Sequence, residues 1–392
     1  MGARRGSSFA YCIGKLDGVQ FTALCETDPE AVKLTSPHMT PDTKLYTDFD
    51  EFIHSGLDAV ILCNYFDEHA KYAIKAFEAG VHVLSETTAA PTLGECVELV
   101  EAYEKYGLKY MLAVNCMYFP AVHAMKMRID RGETGDILYG EAEYIHGSAE
   151  PQNIYADRDP DNLHWRQFLP SNMYNMHTLA PLMYVTGSMP KTVSCTVIRN
   201  DRMCRERGKL TDTTGSIVVT RMDNGAVFNT TGCSSYTPTS KWYRLACEKE
   251  TMETVRYDAG ETKLIVATSG ECQELTEPTP EESGLLIEDV NQDVVGKSGH
   301  GGIDFHAAYH FIRYLQGKEE PFFDVYRSVA VSAVAILGWY SALSGSAEMK
   351  IPDFRDPAQR DEVRNDYRKP FARRAEDVNM PYRIDQKKDF TR

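Results

Sequence analysis

The sequence predicts a two-part α/β chain: a doubly wound parallel-sheet domain followed by an α+β domain with an open, mostly antiparallel sheet. Three observations carry this. Up to about residue 115, short apolar runs alternate with helix-periodic stretches, the rhythm of a parallel sheet with crossover helices. From about residue 137, strand-like runs follow one another with few helices between them. The 392 residues are also too many for one core, since domains average roughly 150 residues.

The elements follow in order. Val19–Cys25 reads as a strand, and Leu57–Cys63 (LDAVILC) is a nearly unbroken apolar run, as a parallel strand buried on both faces requires. Between it and the next strand, Ala70, Ala73, Ile74 and Phe77 fall at helical spacing and predict one buried face. Gly80 ends that helix. Val81–Ser85 is the next strand, Thr92–Tyr106 a helix closed by Gly107, and Lys109–Val114 a further strand. In the second part Ile137–His146, Lys191–Ile198, Gly215–Met222, Ala226–Cys233, Trp242–Lys249 and Lys263–Thr268 predict strands. Helices are expected over Asn172–Val185, Ile303–Gln316 and Asp324–Ser344, and a loop over Glu277–Asn291. The predicted boundaries are 1–117, 118–354 and a charged tail, 355–392. The tail carries 11 Lys/Arg and 8 Asp/Glu, the composition of a solvated or subunit-wrapping arm.

Composition excludes several functions. The net charge is −15, which disfavours nucleic acid and anionic membrane surfaces as partners. No stretch of about 18 uninterrupted apolar residues offers a membrane span. Ten cysteines are scattered with no CxxC pair, which fits reduced thiols and a cytoplasmic location rather than a disulfide framework or zinc site. His306 and His310 stand at i, i+4, but no third ligand lies nearby in sequence, so packing is the expected role and no metal is expected.

The chain opens MGARRGSSFA and runs into a helix pattern. Glycines before a helix let the backbone approach a pyrophosphate, which the helix N-terminus then stabilises. Gly2 and Gly6 supply that turn. Glu26, just after the Val19–Cys25 strand, is placed to accept hydrogen bonds from adenosine ribose hydroxyls. A carboxylate there repels a 2′-phosphate and so favours NAD over NADP, whereas Arg4 and Arg5 are residues that can hold such a phosphate. No strand precedes Gly2, so the first strand of a Rossmann-like sheet is missing. The expectation is that Met1 is an internal methionine of a longer glycine-rich loop.

The run from Leu57 to Ala102, together with His300–Phe305 (HGGIDF) and Ile351–Phe354 (IPDF), resembles the Gfo/Idh/MocA oxidoreductases. In that family a strand leads to a TPxxxH-like turn, here Asn64 to His69, and then to AGKHVxxEKP. The resemblance implies that Asn64 and His69 line the cofactor side. The EKP lysine, implied to act on the reacting hydroxyl, is replaced here: the sequence is Glu86-Thr87-Thr88, and a threonine hydroxyl is no base near pH 7. A lysine-free branch, the NAD-dependent α-N-acetylgalactosaminidases, is similar in motif order. Glu86, Asn115-Cys116-Met117-Tyr118, Trp165-Arg166 and Tyr174-Asn175-Met176-His177 follow one another as its motifs do, although Val114 stands where that branch has a glutamate.

What these residues could do follows from their placement. Tyr174 and His177 are i, i+3 on one helix face, in the first two turns after Ser171, the expected N-cap. The positive end of the helix dipole disfavours imidazolium, so His177 is expected to be neutral near pH 7 and able to accept a proton. Glu86 ends a parallel strand at its carboxyl end, where open α/β sheets bind ligands. The expected catalytic group is His177, Tyr174, Tyr118 and Glu86. Arg166, Trp165 and Asn115 are expected to bind substrate. Gly2, Arg4, Arg5, Gly6, Glu26, Asn64, His69, Glu86 and Asn115 are expected to bind the cofactor. The expected activity is NAD-dependent oxidation of a sugar or glycoside at the C3 hydroxyl, continuing to glycosidic cleavage by elimination, hydration and reduction. A sugar 3-dehydrogenase that releases a keto sugar and a non-catalytic NAD or sugar sensor stand as alternatives. The open sheet and the family resemblance imply a homodimer or homotetramer.

Overall fold

The computed structural model describes residues 1–146, 163–233, 238–258, 262–288 and 290–389, to which all structural statements refer. The chain divides into two compact units, Met1–Tyr118 with Leu285–Val329, and Phe119–Gly284 with Ala330–Arg392.

The first unit carries five short strands: β1 (Ala23–Cys25), β2 (Lys44–Tyr46), β3 (Ala59–Leu62), β4 (His82–Ser85) and β5 (Tyr110–Leu112). All pairings are parallel, but they form two separate sheets, β1-β2 and β3-β4-β5. Only Met1 reaches across: its carbonyl accepts from the Cys63 amide at 2.8 Å, and the next amide, of Gly2, donates to the Cys25 carbonyl at 3.2 Å. The β2 strand was not foreseen because its residues are exposed or half-buried and show no apolar alternation. Helix His69–Glu78 buries Ala70, Ala73 and Phe77, as its periodicity requires. Helix Leu93–Tyr106 starts on a Thr92 cap that accepts from the Glu95 amide, and it ends on left-handed Gly107 (φ 63°). Both signals lie in the sequence, since a threonine oxygen satisfies an orphan amide and glycine tolerates positive φ.

The second unit is built on nine strands: β6 (Ile137–Ile145), β7 (Pro190–Arg199), β8 (Thr213–Met222), β9 (Val227–Cys233), β10 (Ser240–Cys247), β11 (Glu250–Thr254), β12 (Leu264–Thr268), β13 (Glu271–Thr276) and β14 (Met349–Lys350). Their order is β13-β12-β11-β10-β6-β9-β8-β7-β14. Every pair is antiparallel except β6 with β9. The short strands β11, β13 and β14 escape sequence reading because two to six residues carry little periodicity.

Two expectations about organisation change. Residues 285–329, expected in the second domain, belong to the first unit. Helix Ile303–Leu315 buries Phe305, Ala308 and Phe311 there, and its Asp304 bonds Arg5. The C-terminal tail is not a free arm. Within the second unit Phe371 is fully buried, the Trp339 indole donates to the Pro381 carbonyl at 2.8 Å, and the Asp212 carboxylate accepts from the Ile384 amide at 3.0 Å. A charged composition hid a few well-placed anchors. The cysteines whose side chains are described are buried as thiols.

Gly2 is the tightest backbone position. It holds φ +85°, and a Cβ there would lie 2.4 Å from the Cys63 carbonyl oxygen. Gly2→Ala is expected to cost more than about 1 kcal/mol, because strain at positive φ adds to a clash with backbone. Urea melts of the variant beside the parent check this.

Candidate functional site

Gly2 precedes helix Ala3–Ile13 without a side-chain cap. The Gly6 amide donates to the Gly2 carbonyl at 2.9 Å, so the helix begins at once, and the first amides have no intrahelical acceptor. That of Ala3 donates to Glu26 at 2.7 Å. The other Glu26 oxygen accepts from the Thr27 and Asp28 amides, so the carboxylate at the end of β1 is fixed by three backbone donors. The amides of Arg4 and Arg5 remain at the helix start, the arrangement that suits a phosphate. Unlike Gly2, a Cβ on Gly6 would meet nothing nearer than 3.9 Å; the protein alone does not require glycine there.

The Arg4 guanidinium pairs with exposed Asp28 at 3.2 Å. Arg5 turns inward. Its Nε donates to Glu86 at 2.6 Å and its two terminal nitrogens clasp Asp304 at 2.6 and 2.9 Å. Asp304, wholly buried, also accepts from Ser8 at 2.7 Å and Asn115 at 3.0 Å and lies 3.0 Å from His300 Nδ1. Burial by itself would raise the Asp304 pKa. Hydrogen bonds from His300 and Arg5, with the Arg5 charge, outweigh it and hold the carboxylate well below its ordinary range. Burial works against the Arg5 charge in the same way, and Glu86 and Asp304 more than offset it, raising its pKa. Sequence reasoning singled out Arg5, Glu86 and Asn115 separately and missed Asp304, the residue that joins Arg5 and Asn115. The HGGIDF segment was visible, but nothing in it shows that its aspartate meets the first helix.

The other residues expected on the cofactor side have distinct environments. His69 is buried, with Nδ1 2.8 Å from the Thr88 carbonyl and Nε2 3.3 Å from the Asn64 carbonyl. Burial lowers its pKa and favours the neutral ring, which ties two strand-end turns together. Asn64 is different: both of its side-chain polar atoms are buried and lack a hydrogen-bond partner, as does Asp67 Oδ1. Orphaned polar atoms at the carboxyl end of β3 fit a site completed by a polar ligand. Asn115 gives its amide to Asp304. Tyr118 is buried and stacks on His310 at 5.1 Å, with planes 2° apart, and on His306 at 5.6 Å. His310 Nδ1 lies 2.6 Å from Glu319. The two histidines expected to pack do so around Tyr118.

In the second unit, the expected helix start shifts. Ser171–Tyr174 is a 3-10 turn and the α-helix proper is Met176–Thr186, with Asn175 and not Ser171 at its N-cap. The Ser171 amide donates to Thr213 instead. His177 thus lies in the first helical turn, nearer the positive end of the dipole than expected. The Tyr174 and His177 rings meet edge-on at 4.7 Å. Tyr144, on β6, stacks on His177 at 4.5 Å; it was not foreseen, because strand and helix meet only in the folded sheet. The Tyr243 hydroxyl donates to the His177 carbonyl at 2.7 Å. Arg166 lies over the rings of Trp165 at 4.5 Å and Tyr174 at 5.5 Å. The short helix Trp165–Phe168 is held by a His164 and Gln167 capping box. Arg166, Trp165, Tyr174, His177 and Tyr144 form one aromatic and cationic cluster on this unit.

Comparison with known proteins adds the chemistry that such a helix start serves. Residues 2–114 match the family described as oxidoreductase family, NAD-binding Rossmann fold, the Gfo/Idh/MocA group. Its N-terminal domain is a Gfo/Idh/MocA nucleotide domain. Residues 286–359 match the glycosyl hydrolase 109 C-terminal domain. Glycosyl hydrolase family 109 proteins from Shewanella pealeana and Solibacter usitatus are each 24% identical. They align over 90% and 89% of this chain and 83% and 86% of their own lengths. Among solved structures, a levoglucosan dehydrogenase in complex with NADH and levoglucosan superposes with a TM-score of 0.74 at 18% identity. It covers 90% of this chain and 98% of that one. An aldose-aldose oxidoreductase from Caulobacter crescentus gives 0.64 at 18% identity over 85% and 92%. Residues 2–114 thus carry the NAD-binding domain of an oxidoreductase, and the chain is related at low identity to the glycosyl hydrolase 109 proteins. Among its described residues no helix is long and apolar enough to cross a membrane.

Asp304→Asn leaves Arg5 partly buried against a neutral partner and is expected to cost about 3–5 kcal/mol. Because the folded-state pKa is depressed, the contribution of Asp304 is complete above the ordinary aspartate value. It is lost only as pH falls below that value towards the folded one. Denaturant melts at pH 7 and in the acid range, parent against variant, check both the size and the pH at which the difference closes.

Proposed function

We propose that the chain acts on a sugar or glycoside, oxidising its C3 hydroxyl and going on to cleave the glycosidic bond. The observation that carries this is the cluster around His177: a first-turn imidazole between two tyrosine rings with a stacked arginine beside it. The likeness to the glycosyl hydrolase 109 proteins over nine-tenths of the chain supports it.

NAD, when bound, accepts hydride from C3 and later returns it. The turn at Gly2 and Gly6, the Arg4 and Arg5 amides, Glu26 and Asn64 would hold it. His177 takes the proton of the C3 hydroxyl, and the helix dipole favours the neutral ring that can do so. Tyr174 and Tyr144 hold the ring's orientation by their packing. A C3 ketone acidifies the C2 proton; loss of that proton expels the C1 substituent, and water adds to the resulting double bond. Arg166 and Trp165 offer a cation and a flat apolar face to the sugar. Glu86 is held by Arg5 and by the Thr87 amide at 3.1 Å. It serves as a fixed acceptor for a hydroxyl rather than as the mobile base. Tyr118, within its histidine stack, fixes the turn that carries Asn115.

A sugar 3-dehydrogenase is the second reading, favoured by the levoglucosan dehydrogenase fold match. An aryl glycoside separates the two. Release of the phenol without net NADH is the expected result; NADH accumulating with a keto-glycoside establishes the dehydrogenase instead. His177→Asn is expected to lower turnover at least about 100-fold, the usual size of a general-base contribution, while NAD binding is retained. Unchanged turnover in that variant overturns the assignment.

The same reading makes the chain a homodimer or homotetramer. Ile198, Ile217 and Val219 are exposed on adjacent strands β7 and β8, an apolar patch suited to a self-complementary contact. Light scattering is expected to show an oligomer for the parent and a smaller species for the Ile217→Lys, Val219→Lys double variant.

A further inference from the structure

The helix Trp165–Phe168 is four residues long, a single turn. A lone turn is unstable, because it orders several residues for very few hydrogen bonds. The Trp165–Arg166 stack therefore keeps its place only if the surroundings hold the turn. The His164 and Gln167 capping box closes its start. Several further anchors come from the C-terminal tail, which belongs to the same unit.

The tail reaches the turn on three sides. On the entry side the Leu163 amide donates to the Arg373 carbonyl at 2.7 Å. On the buried side Phe168, wholly inaccessible, meets the Tyr382 ring edge-on, with centroids 5.2 Å apart and planes at 86°, a favoured geometry for an aromatic pair. On the exit side the Gln167 carbonyl accepts from the Leu210 amide at 2.7 Å and the Thr211 amide at 3.2 Å, and the tail grips that segment too. The Arg383 guanidinium donates to the Leu210 carbonyl at 3.4 Å and to Asp201 at 2.9 Å. Wholly buried Asp212 accepts from the Ile384 amide at 3.0 Å and from Arg199 at 2.7 Å. The tail is held in turn at its other end. The Tyr340 hydroxyl donates to Asp366 at 2.9 Å, and the Trp339 indole bonds the Pro381 carbonyl. Between these points the Asn379 side chain accepts from the Lys369 amide at 2.8 Å and donates to the Tyr367 carbonyl at 2.9 Å.

We propose that the tail segment 371–384 is a clamp that sets the position of the Trp165–Arg166 pair, with Tyr382 and Arg383 as positioning residues for the sugar. This rests on the reading above that Trp165 and Arg166 bind the sugar. A clamped pair presents its flat face and its cation without first losing conformational freedom, which strengthens binding. His177 lies on another helix and keeps its own ring packing. Loss of the clamp is therefore read in KM more than in kcat.

The test uses the full chain and the same aryl glycoside. Tyr382→Ala is expected to raise KM about 5–10-fold with kcat within about twofold of the parent. It is also expected to speed amide hydrogen exchange at Leu163, Gln167 and Leu169. Tyr382→Phe keeps the ring and is expected to restore both readouts. Arg383→Gln is expected to shift both in the same direction, and it keeps the test readable if Tyr382→Ala fails to fold. Arg128→Gln breaks the paired bonds to buried Glu250 elsewhere in the unit; it controls for lost stability and is expected to lower Tm with the parent KM. Unchanged exchange over 163–169 in both tail variants overturns the clamp. Faster exchange with unchanged KM, or an equal rise of KM in Arg128→Gln, overturns the positioning role. If the parent turns over no aryl glycoside, the sugar reading fails by itself, and exchange still decides whether the tail holds the turn.

Discussion

The buried Asp304 carboxylate is the constraint on which the nucleotide end depends. A wholly buried carboxylate is costly unless its oxygens are satisfied. Here Arg5, Ser8 and Asn115 donate to it and His300 stands within hydrogen-bond reach. Those groups come from the first helix, the turn after β5 and the loop before helix Ile303–Leu315. One anion therefore registers segments some 300 residues apart in sequence. Arg5 in turn reaches Glu86 at the end of β4. The helix start that suits a phosphate is thereby anchored to the strand end that suits a ligand, by charge-assisted bonds with fixed geometry.

The second unit depends on ring packing rather than on charge. His177 sits in the first helical turn, and the faces of Tyr144 and Tyr174 hold its ring in one orientation. The Tyr243 hydroxyl, bonded to the His177 carbonyl, holds the turn itself.

Much of this was legible in the sequence because it rests on local rules. Apolar periodicity marked the Ala70–Phe77 helix face, Thr92 and Gly107 marked their helix ends, and an unbroken apolar run marked β3. The order of Glu86, Asn115, Trp165-Arg166 and Tyr174–His177 marked the family. Tertiary structure decided the rest. It moved residues 285–329 into the first unit, docked the charged tail through Phe371 and Trp339, and shifted the helix cap from Ser171 to Asn175. It also brought Asp304 to Arg5 and Tyr144 to His177. The physical reason is the same in each case. Periodicity and capping depend on neighbours within about four residues, whereas a buried ion cluster or a ring stack depends on which distant segments exclude water together.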